Sequence, residues 1–121
     1  MGESKSFLVV NRRSPYGSNF AKEALDAALM AAVFNQQTSI LFMDDGVLQL
    51  LSGQAPADIG AKNCSATLPM LEMYEITDIY VDRDALQQRG LSEQDLLIRC
   101  QLLDASAITE LLERQDIILN F

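Results

Sequence analysis

The sequence predicts an α/β protein: three layers, α/β/α, around a five-stranded, mainly parallel sheet, in one domain over residues 1–121. Three observations lead there. Short apolar runs, partly β-branched and bounded by polar residues, recur along the chain and read as strands. Helical patterns fall between them, so each crossover returns the chain in the same direction. The first run, SFLVV at Ser6–Val10, does not alternate polar with apolar, as expected of a strand covered on both faces.

After that strand, Asn11–Asn19 (NRRSPYGSN) is rich in turn formers. Ser18 or Asn19 can cap a helix over Phe20–Phe34. This helix is polar only near its start, at Lys22, Glu23 and Asp26. From Ala27 onward it is apolar all round, which predicts cover on more than one side, the second surface being another subunit.

Asn35–Gln37 connects to a second strand, Thr38–Met43, stopped by Asp44 and Asp45. Gly46 permits a sharp change of direction. Val47, Leu50 and Leu51 then give a short helix its apolar face. Acidic pairs at strand ends can bind metal or accept phosphate, but these two stand where a helix starts, and capping is the expected role.

Ser52–Cys64 is the longest irregular stretch, and Ser65–Tyr74 reads as a helix rich in methionine. Such surfaces make adaptable contacts. Asp78–Asp82 is the third strand, and Asp82 caps a short helix, Arg83–Arg89, which Gly90 ends. Ser92–Asp95 is a turn and Leu96–Cys100 a fourth strand. Asp104 caps the last helix, with Leu103 and Ile108 as its hydrophobic staple. Ile117–Phe121 is the fifth strand.

Composition removes several chemistries. The formal net charge is −8 and histidine is absent. A chain this acidic has no surface for neutralising phosphates, so direct nucleic-acid binding is not expected. Histidine zinc sites and Ser-His or Cys-His catalysis cannot be built, and no metal or cofactor is expected. No apolar run approaches the ~20 residues of a membrane span, and the N-terminus has no secretory apolar core. The start, Met1-Gly2-Glu3-Ser4-Lys5-Ser6, fits a loose myristoylation pattern; with a strand beginning at Ser6 we read the match as chance. Cys64 and Cys100 lack CxxC spacing; two isolated thiols suit a reducing cytosol, where they act as small apolar residues.

Open α/β sheets place their sites at the carboxyl ends of strands. Arg12, Arg13, Ser14, Gly17 and Ser18, ahead of a helix N-terminus, form a candidate anion site, although the loop is neither a Walker loop nor GxGxxG. The turn Asp44–Gly46 and the strand end at Asp82 are the other candidates, with Cys100. A phosphoryl-receiver domain fails as an alternative. Strand one runs into Asn11-Arg12-Arg13 rather than acidic residues, and no lysine follows strand five.

Several stretches together carry a resemblance. These are Ser14-Pro15-Tyr16-Gly17, the helix with Glu23-Ala24-Leu25-Asp26-Ala27, the run from Phe42 to Gln54 (FMDDGVLQLLSGQ), Leu86 with Arg89-Gly90-Leu91, and the ending Asp116–Phe121 (DIILNF). The chain resembles the TusC/DsrF family of sulfur-relay proteins along essentially its whole length. The resemblance implies a cytoplasmic subunit of a heterohexamer with TusB/DsrH-like and TusD/DsrE-like partners. Such an assembly passes persulfide sulfur toward 2-thiolation of the tRNA wobble uridine, or serves dissimilatory sulfur oxidation. It also implies that the sulfur-carrying cysteine belongs to the TusD/DsrE-like chain, shortly after the third strand. Counting back from Gly90, the corresponding position here is near Asp82, which cannot hold a persulfide. The apolar second half of Phe20–Phe34 and the Met/Tyr-bearing helix near Ser65–Tyr74 offer more apolar surface than one small domain needs, so self-association is expected of the chain made alone. Two other functions stay open at this point: sulfur carriage by Cys64 or Cys100, and a small anion-binding module built on the Arg12–Ser18 loop.

Overall fold

In the computed structural model, residues 5–13, 20–34, 36–51 and 68–121 are described. The first strand, β1 (Ser6–Asn11), lies inside the sheet because Leu8, Val9, Val10 and Asn11 are all buried. A fourteen-residue helix, α1 (Phe20–Val33), returns the chain to β2 (Gln37–Phe42), which pairs in parallel with β1. A 3-10 helix (Asp44–Leu50) follows at once. The chain then passes through a helix over 68–73, α2, to β3 (Asp78–Asp82) and α3 (Arg83–Gln88). A 3-10 turn (Glu93–Asp95) leads on to β4 (Gln101–Leu103), α4 (Ala105–Glu113) and β5 (Ile117–Asn120).

The sheet order is β4-β3-β2-β1-β5 and every pairing is parallel. The first four strands step outward in one direction, and β5 then crosses to the other side of β1. This reversal puts α4 on the opposite face from the other helices. Val9, Ile40, Phe42, Ile79 and Val81 form one core with residues of α1, the 3-10 helix, α2 and α3. Leu8, Val10, Leu41 and Leu103 form the second core with Ile108 and Leu111 of α4. Among the described residues the layers are therefore unequal, with α1, the first 3-10 helix, α2 and α3 on one face and α4 on the other.

Capping follows the sequence closely. Asp104 accepts the Ala107 N–H at 2.8 Å, and Leu103 and Ile108 share a core at the start of α4. Gly90 ends α3 at φ +70°, where Gly90 N bonds Gln87 O (3.1 Å) and Leu91 N bonds Leu86 O (2.9 Å), the paired bonds of a Schellman stop. Helix α2 stops in the same way, but with Glu75 in the left-handed conformation at φ +64°. There Ile76 N bonds Leu71 O at 2.9 Å, and both side chains are buried.

Two expectations need correction. Leu96–Cys100 is not a strand; β4 begins at Gln101. Leu96 makes a lone antiparallel bridge to Leu51, and Leu97 N bonds Leu50 O at 2.6 Å. The run is apolar because Leu96, Ile98 and Cys100 pack on the larger core as a connection. Asp44 and Asp45 are not caps either. Met43 holds the cap position, without a side-chain bond, and the aspartates lie in the first turn, Asp44 with φ +48°. Among the described residues, no helix is long and apolar enough to cross a membrane.

Candidate functional site

At the carboxyl end of the sheet, the β1 loop and the turn after β2 are fastened to each other. Met43 N donates to Asn11 O at 3.1 Å, and Gly46 N donates back to Met43 O at 2.8 Å. Gly46 sits so close to β1 that an added Cβ would lie 1.9 Å from the Asn11 carbonyl oxygen. The glycine is needed here for close approach, not for an unusual φ. One turn on, Gln49 is fully buried against fully buried Asn11. The two amides exchange hydrogen bonds, Asn11 Nδ2 to Gln49 Oε1 at 3.0 Å and Gln49 Nε2 to Asn11 Oδ1 at 2.7 Å. Gln49 Nε2 also donates to the Arg13 carbonyl at 2.7 Å. Its amide hydrogens and oxygen are thus satisfied without water, as burial requires.

This gives each position of Asp44-Asp45-Gly46-Val47-Leu48-Gln49-Leu50 a job. Val47 and Leu50 enter the larger core, Gly46 touches β1, and Gln49 holds the loop carrying Arg12 and Arg13. Asp45 accepts from Arg89 at 2.9 Å. The same guanidinium donates to Ala85 O at 3.0 Å, so it also satisfies a carbonyl of α3. Both partners are solvent-accessible, so this pair contributes at most about 1 kcal/mol. Its effect is to tie α3 to the turn after β2. On the far side of β1, Arg12 N bonds Phe121 O and Phe121 N bonds Val10 O.

Asp82 stands at the carboxyl end of β3, as expected, and its carboxylate accepts the Asp84 N–H at 3.1 Å. It is the N-cap of α3. Arg12 and Arg13 are exposed beside the clasp, while Ser14, Gly17 and Ser18 lie outside the described residues. Asn11, Gln49 and Arg89 were not expected here. A glutamine two places after Val47 and next to Leu50, on an otherwise apolar turn, was the signal for Gln49.

Cys100 lies at the amino end of the edge strand β4, just before its first residue. It lines a cleft of about 780 Å³ with Leu68, Leu71, Ile79 and Ile98. Burial and then the Glu93 carboxylate push its thiol up to about 12, and the Sγ donates to Ile98 O at 3.5 Å. A thiol held protonated is a poor nucleophile. Cys64 lies outside the described residues. No group of three or more His, Cys, Asp or Glu side chains suited to a metal occurs among the described residues.

Comparison with known proteins agrees with this architecture. The family model for the DsrE/DsrF-like family matches residues 5–121. The intracellular sulfur oxidation protein DsrF of Allochromatium vinosum is 39% identical, over 97% of this chain and 96% of its own. A TusC homolog of Pseudomonas aeruginosa is 41% identical, over 93% of this chain and 95% of its own. The crystal structure of the ychN protein from E. coli superposes with a TM-score of 0.82, covering 98% of this chain and 100% of that one, at 21% identity; at that identity the likeness is one of fold. This chain belongs to the DsrE/DsrF-like family, and its sequence sides with relatives that carry the names DsrF and TusC.

Proposed function

We propose that this chain is a non-catalytic subunit of a cytoplasmic sulfur-relay complex, working beside TusB/DsrH-like and TusD/DsrE-like subunits. In this reading the complex passes persulfide sulfur toward 2-thiolation of the tRNA wobble uridine, and the TusD-like partner holds the reactive thiol. The observation that carries it is Asp82. Where the resemblance puts the sulfur-bearing cysteine of TusD- and DsrE-like chains, this chain has a carboxylate, and that carboxylate is occupied as a helix cap. A carboxylate has no sulfur to accept another. Cys100 lies at the amino end of β4, the strand beside β3 and Asp82, and burial that pushes its thiol up to about 12 speaks against a carrier role. The chain then contributes surfaces and support, and the clasped turn of Gly46 and Gln49 holds the sheet's carboxyl edge in one shape.

A second reading keeps the same role but places it in dissimilatory sulfur oxidation. It is favoured by the DsrF relative, whose identity of 39% is close to the 41% of the TusC homolog. Deleting the gene separates the two. Loss of 2-thiouridine from tRNA supports the first reading; intact 2-thiouridine with arrested sulfur oxidation supports the second. In the reconstituted complex, Cys64→Ser and Cys100→Ser, alone and together, leave sulfur transfer nearly intact. A loss of about tenfold or more with assembly intact would make this chain a carrier and overturn the reading.

A further inference from the structure

The crossover from β3 to β4 covers its strands only in part. Helix α3 has six residues and is about 9 Å long, against about 17 Å for the five residues of β3. It starts at the carboxyl end of that strand, where Asp82 caps it. From Gly90 the chain returns through the Glu93–Asp95 turn and the apolar connection of Leu96 to Cys100. The first residues of β3 and β4 therefore lie at the bottom of an opening between this connection and α2. There lies the cleft of about 780 Å³ that Cys100 lines, a volume within the range of small-molecule sites.

The floor of the cleft is apolar. Leu71, Ile76 and Ile79 are buried, and Ile98 and Cys100 pack beside them. Its rim is acidic, with one carboxylate from each side. Glu72 comes from α2, Asp78 from the start of β3 and Glu93 from the turn before the connection. All three residues are exposed, and among the described residues their carboxylates make no hydrogen bond or ion pair. Glu93 also acts on the floor, where its charge helps keep the Cys100 thiol protonated. Arg99 is the one cation among the described lining residues, so the carboxylates outnumber it three to one.

This combination selects by charge as well as by shape. An apolar body gains by covering the floor, and a positive head on that body meets carboxylates that have no other partner. An anion of the same size would meet them as like charges, and a neutral molecule would leave them unused. We propose that this cleft binds a small organic cation, a primary amine on an aliphatic or aromatic body. The body lies on Leu71, Ile79 and Ile98, and the ammonium sits among Glu72, Asp78 and Glu93. Asp78 and Asp82 stand at opposite ends of β3, about 13 Å apart, so this site is separate from the Asp82 cap and from the clasp. It does not rest on the sulfur-relay reading.

Nuclear magnetic resonance titration of the full chain with phenylbutylamine, phenylbutanol and phenylbutyrate tests it, because the three probes share one body and differ in charge. At neutral pH the amine is expected to bind with a Kd on the order of 1 mM and to shift the amide signals of Ile79, Ile98 and Cys100. The alcohol should bind about three- to ten-fold more weakly at the same residues, and the carboxylate more weakly still. Asp78→Asn combined with Glu93→Gln lowers the amine to the affinity of the alcohol and leaves the alcohol unchanged. Both residues are exposed, so the melting curve of this variant stays close to that of the wild type. Glu110→Gln, exposed on α4, changes neither probe. An amine that binds no more tightly than the alcohol overturns the proposal, as does a carboxylate that binds best. So does the absence of shifts at these three residues with the amine at about 20 mM, well above the expected Kd.

Discussion

Replacing Gly46 by alanine is the smallest change that tests how the candidate site is held. The new methyl would sit 1.9 Å from the Asn11 carbonyl oxygen, 2.7 Å from its carbon and 3.2 Å from the Arg12 Cα. All three are backbone atoms, and no rotamer change can relieve them. Either β1 or the turn after β2 must move by more than 1 Å, taking ordinary contact at about 3.4 Å as the target. That movement breaks the 3.1 Å bond from Met43 N to Asn11 O and stretches the 2.7 Å bond from Gln49 to Arg13 O. Overpacking of this kind costs roughly 1–3 kcal/mol, and a lost hydrogen bond roughly 1 kcal/mol more. Gly46→Ala should therefore destabilise by about 2–4 kcal/mol, a fall in Tm on the order of 10 °C for a chain of this size. Denaturant unfolding followed by far-UV circular dichroism measures it. Gly90→Ala is the control: nothing lies within 4 Å of the added Cβ, and only the φ of +70° opposes it, so about 1 kcal/mol is expected. If Gly46→Ala melts within about 1 °C of the wild type, the close approach is not needed and the site is not clasped as described.

Two further outcomes follow from single residues. Glu75 occupies the left-handed stop of α2 at φ +64°, so Glu75→Gly should raise stability by about 0.5–1 kcal/mol in the same assay; a loss would show that its side chain matters more than its backbone. Burial, and then the Glu93 carboxylate, raise the Cys100 thiol from its ordinary value of 9.0 to about 12. Below 9 both folded and unfolded chains keep the proton, and between 9 and 12 the unfolded chain loses it first. Stability should therefore fall across that window, and less steeply in Cys100→Ala.

The sheet was legible because its strands are short apolar runs with clear punctuation, and the caps Asp82 and Asp104 were legible because capping is local chemistry. Leu96–Cys100 misled for a physical reason: apolar residues packed on a core look alike in a strand and in a connection, and only the partner of the Leu97 N–H distinguishes them. Asp44 and Asp45 looked like caps because the rule counts carboxylates near a helix start, whereas the cap position belongs to Met43 and Asp45 turns to Arg89. The clasp between Asn11 and Gln49 joins residues 38 positions apart, and no local pattern reports such a pair. Periodicity did show that the second half of α1 has more apolar surface than one contact needs, and Met30, Val33 and Phe34 are indeed exposed. What covers them was beyond a single chain's sequence.

The most direct test of the central claim, that this chain supports sulfur transfer without carrying sulfur, is sulfur flux through the purified complex containing Asp82→Asn, with melting and assembly measured on the same sample. Asparagine keeps an oxygen that can accept the Asp84 N–H, so the cap survives the loss of charge. The account predicts normal flux, normal assembly and a Tm within a few degrees of the wild type. Abolished flux with melting and assembly unchanged would place the Asp82 carboxylate in the chemistry and contradict it.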